Sequence, residues 1–125
     1  MPKKILVLED DAELSGLLQG MLQAQGYEVV AAPSVARGMT LVRNESIDLA
    51  IVDIMMPIVD GYQFCAWLRK LDDHAGTPII ILTAYEARYG RERADALGVR
   101  HFLNKPFEPE DLKAAIADAL GEDRK

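Results

Sequence analysis

At 125 residues and 50% hydrophobic content, the chain is sized for one domain with a core of ordinary extent. Fourteen basic residues against twenty acidic ones leave a net charge of -6, which excludes the basic field that nonspecific nucleic-acid binding requires. A single cysteine, Cys65, excludes an internal disulfide, and the apolar run after Lys3 and Lys4 is too short for a signal-peptide core or a membrane span. The expectation is a cytoplasmic protein with no membrane contact and no direct nucleic-acid contact.

In chain order, residues 5–8 form an apolar run that stops at Glu9-Asp10-Asp11, after which Leu14, Leu17, Leu18, Met21 and Leu22 recur at helical spacing. Gly26 is placed to close that helix, and residues 27–32 predict a second, weaker strand ending at Pro33. Ser34 can cap a helix with Val35, Met39 and Val42 inward and Arg37 and Arg43 toward solvent. A central strand over residues 47–53 is continuously apolar from Leu49 until it ends at Asp53, shortly before Pro57, and so reads as buried on both faces. Asp60-Gly61 marks a turn, and Phe64, Cys65, Leu68 and Leu71 set a third helix against the sheet.

Residues 74–78 read as a loop and 79–82 as a fourth strand that stops at Thr83-Ala84. The helix over 86–96 is poor: Ala87, Ala94 and Leu97 offer little apolar area, and Gly90 costs about 1 kcal/mol against Ala. It is the element expected to move. Gly98 ends it, residues 100–104 form the last strand, and Lys105-Pro106-Phe107 a loop. Pro109 and the acids around it open a final helix with Leu112, Ala115, Ile116, Ala119 and Leu120 inward, and residues 122–125 form a polar tail or the start of a linker. His74 and His101 are expected to face solvent, and Cys65 to fill core.

Five strand-helix units with near-continuous apolar strands imply an α/β fold: a doubly wound, five-stranded parallel sheet with helices on both faces, a three-layer sandwich of the flavodoxin-like kind. Right-handed crossovers favour the strand order 2-1-3-4-5, with five helices and one domain over residues 1–121. In that order strands one and three are neighbours where the winding reverses, so Glu9, Asp10 and Asp53 converge. At about 5 Å and an effective dielectric of about 20, each pair of these carboxylates repels by roughly 3 kcal/mol. A cation must offset this, and oxygen-only donors suit Mg²⁺ before zinc or calcium. Thr83 ends strand four with a hydroxyl, and Lys105 follows strand five with a point charge suited to phosphate. An Asp nucleophile, a divalent metal, a hydroxyl and an ammonium are the parts needed to move a phosphoryl group onto a carboxylate.

The pieces Ile5-Leu6-Val7-Leu8-Glu9-Asp10-Asp11, Asp53-Ile54-Met55-Met56-Pro57 with Asp60-Gly61, Leu82-Thr83-Ala84 and Lys105-Pro106-Phe107 resemble the receiver domain of two-component response regulators, over essentially the whole chain. The resemblance implies that Asp53 accepts a phosphoryl group from the phosphohistidine of a sensor histidine kinase or a histidine phosphotransfer protein. It implies that Asp10, Asp53 and the backbone carbonyl of Met55 ligate Mg²⁺, or Mn²⁺ in its place, with Glu9 acting largely through water. It further implies that Thr83 and Lys105 hold phosphoryl oxygens, that Phe102 is an aromatic switch that turns inward with Thr83, and that the Lys105-Pro106 peptide is cis. The output face would be the fourth helix, fifth strand and fifth helix, open to a partner or to a second copy. Such a domain is a signalling module, not a turnover enzyme.

Departures from the family pattern are informative. Met55 and Tyr85 lie two residues beyond Asp53 and Thr83, where the family tunes access of the hydrolytic water, and two bulky side chains there predict slow autodephosphorylation. In the subclass with winged-helix output domains the dimer face is expected to carry acids at 97 and 101 and bases at 115 and 122. This chain has Leu97, His101, Ala115 and Glu122, which speaks against that particular dimer. Three further readings stand beside the leading one. A degenerate receiver would act by protein contact alone, and a Mg²⁺-dependent phosphatase with an Asp nucleophile would need an acid where Met55 stands. A flavodoxin-like FMN carrier wants a hydroxyl- and glycine-rich loop where this chain puts three acids.

Overall fold

The run Ile5–Leu8 has no polar side chain to offer to water, and in the computed structural model it forms β1 (Lys4–Leu8), covered on both faces. The structure describes residues 2–54, 61–83, 92 and 94–121. With β2 (Glu28–Ala32), β3 (Leu49–Asp53), β4 (Ile79–Thr83) and β5 (His101–Asn104) it makes a parallel sheet in the order β2-β1-β3-β4-β5, the doubly wound order expected. Strands two, three and five each begin a residue or two later than the apolar pattern suggests. Pairing sets these starts: β3 enters the ladder only where Leu49 meets Ile5, and β5 where His101 meets Ile80.

Side chains alternate across each strand, so the sheet divides the core. Ile5, Val7, Leu49, Ile51, Ile80 and Leu82 pack under α1 (Ala12–Ala24) and the C-terminal helix (Pro109–Ala119), against Leu18, Leu22, Leu112 and Ile116. Leu6, Leu8, Ala50, Val52, Ile79 and Ile81 face α2 (Val35–Asn44) and α3 (Gly61–Arg69), against Leu41, Val42, Phe64, Cys65 and Leu68. Ala94, in the described part of the fourth helix, is fully buried in this second cluster. Asp11 caps α1, its Oδ1 accepting from the Glu13 and Leu14 N–H groups at 3.0 and 3.2 Å, and Ser34 caps α2 through the Arg37 N–H at 3.2 Å.

Two expectations, both for histidines, are corrected, and one residue of the apolar spacing lies off the inner face. Leu17, about 100° round α1 from Leu18, is 62% exposed. His101 is half-buried, because alternation puts it on the Leu103 side of β5, beneath the C-terminal helix, where its Nε2 lies 2.8 Å from Asp118 Oδ2. His74 belongs to a short 3-10 turn (Asp72–His74), with Nδ1 2.8 Å from Thr77 Oγ1. Arg69 ties the lower ends of the strands together: its guanidinium donates to the carbonyls of Leu97 (2.7 Å), His74 (3.1 Å) and Thr77 (2.6 Å). Among the described residues no helix is long and apolar enough to cross a membrane.

Candidate functional site

Register brings the strand ends to one edge. Leu8 pairs with Val52, Asp53 with Leu82 and Thr83 with Asn104, so Glu9, Asp53, Thr83 and Lys105 all arrive at the C-terminal rim of the sheet. The Glu9 N–H donates to the Ala32 carbonyl at 3.1 Å and the Lys105 N–H to the Thr83 carbonyl at 2.6 Å, which extends the ladder just past the strands. The Lys105-Pro106 peptide is cis, as the resemblance implied.

Glu9 and Asp53 are each 2% exposed, while Asp10 faces solvent; one carboxylate oxygen from each of the three falls within 4.8 Å of the others. Lys105 reaches over from the far side of β4 and shares its ammonium between two acids, with Nζ 3.2 Å from Asp53 Oδ2 and 3.3 Å from Glu9 Oε2. The contact with Glu9 was not foreseen in the sequence, although a buried acid always needs a donor or a counter-ion. Asp11, next in line, turns away to cap α1, its N–H donating to Glu9 Oε1 at 3.3 Å.

One ammonium against three carboxylates leaves excess negative charge in a partly buried pocket. Burial, reinforced by the neighbouring Asp53 carboxylate, pushes the Glu9 carboxyl up from 4.5 to about 7; Lys105 and the Asp11 N–H oppose the rise without cancelling it. Burial pulls the Lys105 ammonium down, but Asp53 and Glu9 together outweigh it and the net movement is upward, so the group stays charged. The donor set is oxygen only, two of its members are buried, and the Lys105 ammonium offsets only part of its charge. It fits a hard divalent cation such as Mg²⁺, which would take the place of the proton that Glu9 otherwise holds.

Thr83 is buried at the end of β4, one residue beyond the Asp53 partner Leu82. Phe102, paired with Ile81 in β5, is half-buried against the cluster beneath α2 and α3. Met55 and Tyr85 lie outside the described residues.

A family model described as response regulator receiver domain matches residues 5–117. The chain belongs to the response regulator receiver domain family. The probable transcriptional regulator ycf27 of Cyanophora paradoxa is 39% identical over 118 residues, 94% of this chain and 48% of that protein. The transcriptional regulatory protein GlrR of Escherichia coli is 40% identical over 119 residues, 95% of this chain and 26% of that protein. This receiver domain thus spans half or less of either regulator. Among solved structures, the chemotaxis protein CheY4 of Vibrio cholerae superposes with a TM-score of 0.92 at 28% identity, over 96% of this chain and all of that one. The five parallel strands in the order 2-1-3-4-5 and their flanking helices are those of the CheY-like fold.

Proposed function

We propose that this receiver domain is a phosphoacceptor of a two-component phosphorelay, taking a phosphoryl group from the phosphohistidine of a sensor histidine kinase or a histidine phosphotransfer protein onto Asp53. The observation that carries the reading is the meeting of Glu9, Asp10, Asp53 and Lys105 at one rim of the sheet. An Asp53 carboxylate oxygen attacks phosphorus in line; the P–O bond forms as the P–N bond opens, and the donor imidazole leaves with the bonding pair. Lys105, already 3.2 Å from Asp53, passes from the carboxylate to a phosphoryl oxygen, and the Thr83 hydroxyl donates to another. Mg²⁺, or Mn²⁺ in its place, would be held by Asp10, Asp53 and the Met55 carbonyl with Glu9 through water, and would supply positive charge against the phosphoryl oxygens.

The new acceptor oxygens draw Thr83 and Lys105 toward Asp53, Phe102 turns inward behind Thr83, and the face formed by the fourth helix, β5 and the C-terminal helix changes for its partner or a second copy. The domain is cytoplasmic, turns over no separate substrate and makes no nucleic-acid contact of its own; its net charge of -6 supports the last point. Incubation with acetyl phosphate and Mg²⁺ should add about 80 Da to the intact mass. The adduct should vanish in Asp53→Asn and in EDTA. An adduct that persists in Asp53→Asn overturns the assignment.

A further inference from the structure

The first residue of α3 rests on the end of β3 with no room for a side chain. A Cβ on Gly61 would lie 2.6 Å from the Asp53 carbonyl oxygen, 2.7 Å from the Ile54 Cα and 2.8 Å from Val52 Cγ1. Two of these three atoms are backbone and cannot turn aside as a side chain can. Gly61 is not among the glycines with positive φ, which are Gly26, Gly98 and Gly121, so the demand for glycine here is one of space. Its N–H also donates to the Ile54 carbonyl at 3.2 Å, and the Ile54 N–H donates to the Leu82 carbonyl at 3.2 Å. Helix α3, the Asp53-Ile54 peptide and β4 are therefore held in one stack. Gly38 provides the contrast: a Cβ there would meet side-chain atoms first, Leu8 Cδ1 and Phe64 Cε1, each at 3.2 Å.

We propose that Gly61 is a positioning residue for the acceptor site: its missing side chain lets α3 clamp the Asp53-Ile54 backbone and thereby sets the Asp53 carboxylate against Asp10, Glu9 and Lys105. The proposal rests on the reading of that cluster as a Mg²⁺-dependent acceptor. Bringing the 2.6 Å approach out to an ordinary contact of 3.4 Å moves the strand end or the helix by the better part of an ångström. Metal ligands tolerate about 0.2 Å, so the site feels this displacement before the core does.

Calorimetric titration of Mg²⁺ into wild type, Gly61→Ala and Gly38→Ala, with urea unfolding and acetyl phosphate labelling alongside, tests it. Gly61→Ala should weaken Mg²⁺ binding by about tenfold or more, the scale of supporting residues around metal sites, and slow the adduct in proportion. Gly38→Ala should lose stability and keep its Mg²⁺ affinity. If Gly61→Ala does not fold, Gly61→Ala with Val52→Ala removes the Cγ1 conflict and leaves the backbone one. That double variant should fold and still bind Mg²⁺ weakly. Wild-type affinity in either folded variant overturns the proposal and assigns Gly61 to helix packing alone. A wild-type protein that neither binds Mg²⁺ nor takes the phosphoryl group refutes the acceptor reading instead.

Discussion

Without metal, the folded protein should lose stability as pH rises from 4.5 to about 7, and the carboxyl of Glu9 should account for it. Burial and the nearby Asp53 hold that carboxyl at about 7, against 4.5 for an ordinary glutamate. Between those values the folded state keeps a proton that the unfolded chain has released, so stability falls with rising pH. Below the interval both states are protonated and the difference disappears; above it both are ionised and the penalty is complete. At about 1.4 kcal/mol per unit of pKa, the penalty is on the order of 3 kcal/mol, equivalent to roughly 10 °C in Tm for a domain of this size. Urea unfolding in EDTA, followed through Trp67 fluorescence, compares wild type with Glu9→Gln, which has no proton to lose. The two should agree near pH 4 and separate by a few kcal/mol at about pH 8, with the variant more stable. Saturating Mg²⁺ should narrow the gap by stabilising wild type. A difference that stays flat across the interval would refute the assignment of the cost to Glu9.

Two other outcomes can be measured directly. The phosphoryl group on wild type should outlast that on a Met55→Asn, Tyr85→Ala variant when loss of the adduct is timed by intact mass after the donor is removed; equal half-lives would end the idea that these side chains exclude water. Arg69→Met should destabilise the domain by about 1–3 kcal/mol, since three backbone carbonyls lose their donor. The same variant should leave Mg²⁺ affinity unchanged, because the guanidinium lies at the opposite end of the strands from Asp53.

Much of the arrangement was legible in the residues themselves. A parallel strand covered on both faces has no polar side to show, so residues 5–8, 49–52 and 79–82 announce themselves as unbroken apolar runs. Given the strand order, the convergence of Glu9, Asp10, Asp53, Thr83 and Lys105 follows from topology, because each is one of the first two polar residues at or just after the end of its strand. What stayed hidden depends on distances between elements. Asp60-Gly61 reads as a turn, and nothing in its spacing tells how closely α3 approaches the Asp53 carbonyl. His101 has no periodic signature until the C-terminal helix is laid over it, and Arg69 serves backbone carbonyls, which have no sequence of their own. Leu17 fits an apolar stripe that is wider than the groove beneath it.

The sheet also acts as a partition between two hydrophobic compartments that, among the described residues, share no side chain. By alternation Thr83 belongs with Ile79 and Ile81, in the chamber that holds Ala94 and Phe102, whereas α1 and the C-terminal helix line the other. A load on Thr83 would therefore reach the chamber of Ala94 and Phe102 directly, and would reach the packing beneath α1 and the C-terminal helix only through the strands.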